Sequence, residues 1–110
     1  MKGFIQIQWT APSLEEARRI ARMLVIEKLV ACANLISGVE SIYLWKGQLE
    51  TSQEVKVYLK TRAELFARVR NLIQQNCSYE VPEISQIQFD DGNPPYIEWV
   101  ESSTCVDRKK

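Results

Sequence analysis

The chain has 110 residues with 14 basic and 14 acidic side chains and no histidine. This length suits one domain with its own core, which we expect to span residues 1–110 with a flexible tail from about 103 to 110. The balanced charge argues against nucleic acid as a partner, because phosphate binding needs a basic surplus, and the lack of histidine excludes zinc sites that contain histidine.

A strand followed by a helix is predicted at the start of the chain. Residues 4–9, FIQIQW, alternate apolar and polar side chains, which is the period of a strand. Ser13 followed by Glu16 fits a capping box, in which each side chain bonds the other residue's backbone N–H. Apolar residues then recur every three or four positions, which predicts an amphipathic helix over residues 14–27.

A long β-hairpin is predicted in the middle of the chain. Residues 29–45 are rich in strand-forming residues, with Gly38 as the position of a bulge. The Lys46-Gly47 pair suits a two-residue turn, because glycine accepts positive φ, and residues 54–61 form the return strand. Arms of roughly 12–16 residues exceed the usual strand length of about 5–6, so we expect the tip to extend past the domain.

The last third of the chain predicts a helix, a strand and a short helix. Thr61 and Glu64 repeat the capping-box pattern before a helix over residues 62–75, and residues 84–89 alternate as a strand. Pro94 suits the first position of a final helix. The order β-α-β-β-α-β plus a short C-terminal helix predicts an α+β, ferredoxin-like sandwich with both long helices on one face of the sheet.

Strand alternation divides the side chains of the predicted sheet into two faces. The helix-facing set is Ile5, Ile7, Ile42, Leu44, Val55, Val57, Leu59, Ile87 and Phe89, and the opposite set is Gln6, Gln8, Tyr43, Trp45, Lys56, Tyr58, Lys60, Gln86 and Gln88. Aromatic and amide side chains together are typical of subunit interfaces. A solvated face with scattered aromatics is the alternative, but Tyr43, Trp45 and Tyr58 lie on neighbouring strands and favour an interface.

The compartment predicted from the sequence is the cytoplasm. No apolar run reaches the length that spans a membrane, and the first residues alternate with glutamine where a signal peptide would be continuously apolar. Cys32, Cys77 and Cys105 are widely spaced and odd in number, which is typical of reduced thiols.

The candidate metal ligands are Cys32, Cys77 and Glu83. Thiolates favour Cu(I) and other soft ions. A lone cysteine in an apolar strand is more often a small core residue, so for Cys32 the structural role is favoured, and for Cys77 both roles stay open. A harder cation would need clustered carboxylates, and only Glu80 with Glu83, or Asp90 with Asp91, offers such a pair.

The segment NCSYEVPEI, residues 76–84, has two interpretations. Pro82 ends any helix and forces Val81 into an extended conformation, so the segment can be a shaped connection between the second helix and the last strand. Alternatively, Tyr79 and Glu80 line a cleft between subunits. Two residues of the return strand, Glu54 and Lys60, would then contribute to that cleft.

Several motifs of the chain resemble the CutA family of divalent-cation tolerance proteins. They are ACANLI, SIYLWKG, EVKVYLKTR, YEVPEI and YIEWV, and the resemblance covers about residues 9–101. It implies a ferredoxin-like homotrimer, similar in shape to the PII signalling proteins, whose long hairpins cross the interfaces. It also implies a role in tolerance of copper and other divalent cations without catalysis. Trp45, on the open face of the sheet, and Trp99 are further candidates for the ligand cleft or interface.

The chain departs from the family pattern at two positions. Cys77-Ser78-Tyr79 stands where the family usually has His-Pro-Tyr, and Trp9 stands where some members have cysteine. The cysteine of the ACANLI motif, Cys32, is kept. These replacements remove two residues on which the metal-binding hypothesis often depends.

Three functions follow from the sequence as hypotheses. The first is a trimeric, cytoplasmic, non-enzymatic protein that binds copper or another divalent cation. The second is a PII-like sensor that binds a small anionic metabolite between subunits through Lys60. The third is an interaction scaffold. Enzymatic activity is not expected, since no nucleophile–base pair or glycine-rich phosphate loop is visible.

Overall fold

The computed structural model describes residues 3–105. Within this part of the chain the elements follow the predicted order. They are β1 (Phe4–Ala11), α1 (Leu14–Ile26), β2 (Cys32–Trp45), β3 (Gln48–Arg62), α2 (Phe66–Asn76), β4 (Ile84–Gln88) and α3 (Pro94–Ser103), with a short 3₁₀ turn at Ala63–Leu65 before α2. None of the helices in residues 3–105 has the length and apolar character needed to cross a bilayer.

The four strands form one antiparallel sheet in the order β2-β3-β1-β4. In the central pair, Ile7 of β1 lies opposite Leu59 of β3, and Trp9 lies opposite Val57. All four side chains are fully buried, because α1 and α2 cover this face of the sheet. The predicted ferredoxin-like α+β architecture is confirmed.

Two predictions about the start of helices have different outcomes. The Ser13 cap is confirmed, since its Oγ accepts a hydrogen bond from the Glu16 backbone N–H at 3.1 Å. The Thr61 cap is wrong. The hydroxyl of Thr61 is buried and donates to the carbonyl of Leu29 at 2.6 Å, because β3 continues to Arg62 and carries Thr61 into the sheet.

The long hairpin has the predicted irregularities. A bulge between Ile36 and Val39 contains Gly38 at φ 77°, and the turn uses positive φ at Lys46 and Gly47. These conformations favour glycine at the bulge and suit the tight turn that joins twisted antiparallel strands.

Ile42 and Leu44 do not join the core as predicted. They keep the predicted side of the hairpin, but their exposed fractions are 64% and 70%. The reason is length, because this part of the hairpin extends beyond the helices that cover the rest of the sheet. The sequence pattern fixes the side on which a residue lies but not whether anything covers it.

The predicted faces of β4 are reversed in the structure. Ile7 lies opposite Gln86, which therefore belongs to the helix-facing side, while Ile87 lies opposite Gln6 on the open face and is 54% exposed. Gln88 lies opposite Ile5 and so belongs to the same side as Gln86. Phe89 is half-buried. Alternation alone does not choose between the two phases of a short edge strand.

Contacts just before β4 explain its phase. The backbone N–H of Thr10 donates to the carbonyl of Glu83 at 3.3 Å, and the Thr10 hydroxyl donates to the Glu83 carboxylate at 2.6 Å. Glu83 immediately precedes β4, so these bonds set how the strand enters the sheet.

The C-terminal helix is fastened to the sheet by Arg62. Its Nε donates to the Thr104 hydroxyl at 2.9 Å and its Nη2 donates to the Glu101 carbonyl at 2.7 Å. Of the tail predicted over 103–110, Ser103 ends α3 and Thr104 is buried, while residues 106–110 lie outside the described part.

The burial of Ile7 leads to a stability prediction. Ile7→Ala should lower the free energy of unfolding by about 2–5 kcal/mol, because it removes buried methyl groups and leaves a cavity. Urea denaturation measures the change. The matched control Ile26→Ala removes the same atoms from a side chain that is 76% exposed and should change stability by only about 0.5 kcal/mol. Equal losses in the two variants would contradict this core assignment.

Candidate functional site

A groove of about 590 Å³ lies beside the hairpin. We call it the hairpin groove. It is formed by the end of β1, by β2 and β3, and by the connection between α2 and β4. Its lining residues are Thr10, Ser41, Tyr43, Trp45, Glu50, Glu54, Lys56, Tyr79, Glu80, Val81 and Glu83.

The groove exists because β1 is shorter than β3. The last pair between these strands is Ala11 with Val55, and the part of β3 that precedes Val55 pairs only with β2. The connection that follows α2, residues 77–83, approaches this unpaired flank of β3, and its Tyr79 bonds Glu54. Strand and connection together enclose the space.

Glu83 belongs to a compact polar network at one side of the groove. Its Oε1 lies 2.6 Å from the Lys56 ammonium and accepts a second hydrogen bond from the Thr10 hydroxyl at 2.6 Å. Partial burial alone would raise the pKa of Glu83, but the hydrogen bonds from Lys56 and Thr10 outweigh it and lower the pKa. Glu83 therefore stays ionised and is tied to the protein's own ammonium group.

Glu54 is the most buried carboxylate of the groove, with only 9% exposed. Its Oε2 accepts a hydrogen bond from the Tyr79 hydroxyl at 2.6 Å. Partial burial and then the Glu54 carboxylate raise the pKa of Tyr79 well above its usual range, so the phenol is a neutral donor at physiological pH. Within residues 3–105 no lysine or arginine forms an ion pair with Glu54, which leaves a largely buried negative charge without a cation.

The charge of the whole lining is negative. It contains the four carboxylates Glu50, Glu54, Glu80 and Glu83 and the single ammonium group of Lys56. A cleft with one sign of charge raises the local concentration of the opposite ion. The groove is therefore suited to a cation, and the aromatic rings at its walls add surfaces that attract cations as well.

The two cysteines predicted as metal ligands lie outside the groove lining. Cys32 begins β2, and its Sγ lies 3.9 Å from the hydroxyl of Tyr96. Cys77 follows α2, and its thiol donates to the Tyr79 carbonyl at 3.4 Å. Partial burial raises the pKa of Cys77, which lowers the fraction of thiolate available to a metal.

The predicted set Cys32, Cys77 and Glu83 is not brought together within one chain. In the described residues 3–105, no group of three or more cysteine, aspartate or glutamate side chains is arranged to hold a metal ion. Glu83 lines the hairpin groove and neither cysteine does. Cys32, Cys77 and Glu83 therefore each stay a predicted metal ligand, but not as one set within a single chain.

The predicted cleft residues divide into two groups. Trp45, Glu54, Tyr79 and Glu80 all line the hairpin groove. Lys60 does not, and its ammonium group binds the side-chain oxygen of Asn34. Trp99 lies on α3, where its ring centroid is 5.8 Å from that of Tyr96.

Sequence reasoning missed several groove residues as site residues, among them Thr10, Tyr43, Glu50 and Lys56. Strand alternation already put Tyr43 and Lys56 on the open face, and Glu50 and Glu54 share that face by the same period of two. No pattern in the sequence predicts the hydrogen bond between Thr10 and Lys56, because this contact depends on the register between β1 and β3.

These features define a ferredoxin-like α+β protein with an acidic groove outside its core. A family model described as CutA1 divalent ion tolerance protein matches residues 5–103. The chain belongs to this family.

Curated proteins and solved structures agree with the family match. The chain is 40% identical over 103 residues to the divalent-cation tolerance protein CutA of Archaeoglobus fulgidus, covering 94% of this chain and 98% of that protein. It is 36% identical to the chloroplastic protein CutA 1 of Oryza sativa subsp. japonica, covering 91% of this chain but only 56% of the relative. The crystal structure of CutA1 from Oryza sativa superimposes with a TM-score of 0.93 at 34% identity, covering 96% of this chain and 97% of that one.

The ion pair of Glu83 gives a pH-dependent prediction. Because its pKa is lowered in the folded protein, the pair contributes stability above the unfolded pKa and loses it as the pH falls through the folded pKa. Glu83→Gln should therefore be less stable than the wild type at pH 7, by up to about 1 kcal/mol for a partly exposed pair. The difference should shrink as the pH falls below 4.5.

Urea denaturation across this pH range measures the effect. Glu64→Gln is the control, since Glu64 is exposed and lies outside the groove lining. A difference between wild type and Glu83→Gln that stays constant as the pH is lowered would show that the charge of Glu83 is not responsible.

Proposed function

We propose that the protein acts in tolerance of divalent cations by binding a cation in the hairpin groove. The observation that carries this proposal is Glu54, a carboxylate that is nine-tenths buried, bonded to a neutral phenol and unpaired with any cation in the described chain. An uncompensated buried charge is costly, and a bound cation would remove that cost. The family description, a divalent ion tolerance protein, supports the same role.

The chemistry of the groove favours a cation that accepts oxygen ligands. Four of the five lysine and glutamate side chains that line it are carboxylates, and carboxylate oxygens suit hard divalent ions better than soft ones. Within residues 3–105 of one chain, no three such groups are arranged to hold an ion. The remaining ligands would therefore be water molecules or groups of a second copy of the chain.

We also propose that the protein works as a homotrimer and as a binding protein, not as an enzyme. The number three comes from the family resemblance. Support for assembly comes from the large apolar side chains that the hairpin exposes, which are Ile42, Tyr43, Leu44, Trp45 and Leu49. Exposed apolar patches of this kind mark interaction sites.

Two other hypotheses from the sequence are less well supported at the groove. A small anionic metabolite would meet an excess of negative charge there, and Lys60, its predicted ligand, binds Asn34 elsewhere on the sheet. A soft ion such as Cu(I) would need the thiols, and Cys32 and Cys77 stay predicted ligands for it. The names of relatives include both a chloroplastic and a periplasmic protein. The cytoplasm therefore stays a prediction for this chain.

Cation binding is tested by calorimetric titration of the wild-type protein with Mn²⁺ at pH 7. Glu54→Gln should weaken binding by about tenfold or more, because losing a ligand costs at least as much as losing one of its supporting groups. The change keeps the size of the side chain and removes its charge. Glu64→Gln, on the exposed start of the 3₁₀ turn, should bind Mn²⁺ as the wild type does. The same affinity in both variants would contradict the proposed role of Glu54.

Assembly is tested by light scattering at micromolar concentration. The wild type should give about three times the chain mass of 12.7 kDa. Trp45→Ala should shift the protein toward smaller species, because truncating a large aromatic anchor in an interface commonly costs about 2 kcal/mol or more. Its melting temperature should then depend on protein concentration. A wild-type monomer, or an unchanged trimer in Trp45→Ala, would contradict the interface role of the hairpin.

A further inference from the structure

The contact between Lys56 and Glu83 divides the carboxylates of the hairpin groove into two kinds. Lys56 carries the only ammonium group of the groove lining, and this group lies 2.6 Å from the Glu83 carboxylate. Glu54 is more deeply buried than Glu83, and within residues 3–105 it has no ion pair. The better solvated carboxylate is therefore the one whose charge is balanced, and the more buried one keeps its full charge.

The side chain of Lys56 points away from Glu54 and reaches across β1. Glu54 and Lys56 are alternate residues of β3, so they lie on the same face about 7 Å apart along the strand. Glu83 lies on the far side of β1, since Thr10 of β1 pairs with Lys56 and donates its backbone N–H to the Glu83 carbonyl at 3.3 Å. The long, flexible stem of lysine allows this reach.

Thr10 fixes the ammonium group in this position. Its hydroxyl accepts a hydrogen bond from Lys56 at 3.0 Å and donates one to Glu83 Oε1 at 2.6 Å, so the three groups form a closed triangle. Glu83 Oε1 thus has two close donors, whereas Oε2 accepts a long bond from the Ser85 hydroxyl at 3.5 Å. The second oxygen of Glu83 can still accept a ligand, but the charge that would attract a cation is already balanced by Lys56.

This balance matters for a cation that binds at Glu54. The affinity of a protein site for a hard divalent cation depends on how many charged carboxylates surround the ion. Glu83 lines the same groove as Glu54, so it is available as a second carboxylate if its charge is released. Lys56 prevents this release as long as its ammonium group stays bonded to Glu83 Oε1.

We propose that Lys56 is a built-in counter-ion that keeps Glu83 from binding the cation and thereby sets the affinity of the site. This inference rests on the proposed cation site at Glu54. An entering divalent cation meets the full charge of Glu54, while Glu83 stays with the lysine. The site then fills only when the cation is abundant, which suits a protein that responds to an excess of cations and not to their ordinary level.

Calorimetric titration of Lys56→Gln with Mn²⁺ at pH 7 tests this role. The change removes the ammonium charge and leaves Glu83 bonded to Thr10, so the fold should be kept. Mn²⁺ should bind this variant about tenfold more tightly than the wild type, because a second carboxylate becomes a ligand. Lys56→Arg keeps a positive charge beside Glu83 and should show no such gain. Affinity in Lys56→Gln equal to or below that of the wild type, or the same gain in Lys56→Arg, would overturn the proposal.

The double variant Lys56→Gln with Glu83→Gln identifies the released ligand. It has the same net charge as the wild type, because one positive and one negative charge are removed together, and it should lose most of the gain seen in Lys56→Gln. Lys28→Gln removes an exposed positive charge outside the groove lining and should bind Mn²⁺ as the wild type does. A gain that survives in the double variant, or an equal gain in Lys28→Gln, would reveal a general effect of charge and overturn the role assigned to Glu83.

The same titrations separate this proposal from the one about Glu54. If the wild type binds Mn²⁺ through Glu54 but Lys56→Gln binds it no more tightly, only the role of Lys56 is wrong. If Glu54→Gln binds as the wild type does while Lys56→Gln still binds more tightly, the role of Glu54 is wrong and that of Lys56 toward Glu83 holds. Absence of binding in both the wild type and Lys56→Gln contradicts both proposals. Far-UV circular dichroism and light scattering confirm that each variant keeps the fold and the mass of the wild type.

Discussion

The register between β1 and β3 is the constraint on which the rest of the structure depends. It places Ile7 opposite Leu59 on the face covered by the helices, and by the same alternation Thr10 opposite Lys56 on the open face. A slip of one residue would exchange the two faces, exposing the core and separating Thr10 and Lys56 from Glu83. One hydrogen-bonding pattern therefore sets both the hydrophobic core and the polar network beside the hairpin groove.

Because the paired strands β1 and β3 have unequal lengths, the same register also leaves room for the hairpin groove. β3 continues past the end of β1, and the connection after α2 approaches the unpaired flank, where Tyr79 meets Glu54. The same excess length leaves Ile42 and Leu44 without helices to cover them. We infer that the hairpin has two roles. One side provides an acidic groove for a cation. The apolar surface for neighbouring copies of the chain comes from both sides, from Ile42 and Leu44 on one and from Tyr43 and Trp45 beside the groove on the other.

Local chemistry made much of the fold predictable. Ser13 caps α1 soon after β1 ends at Ala11, and Lys46-Gly47 can adopt the positive φ of a tight turn, so element order follows from short-range signals. The phase of β4 depends on long-range bonds between Glu83 and Thr10, which no local pattern encodes. For the same reason the sequence suggested Glu54 and Tyr79 as cleft residues but not their contact, and it did not predict that Lys60 would bind the side chain of Asn34.

The central claim is that the largely buried Glu54 is part of a cation site in the hairpin groove. The most direct measurement is anomalous X-ray diffraction from crystals of the full chain soaked in Mn²⁺, because it locates the ion without any mutation. The account predicts an anomalous peak in the groove within coordination distance of a Glu54 carboxylate oxygen. A peak at Cys32 or Cys77 with none in the groove, or no peak at all, would contradict it.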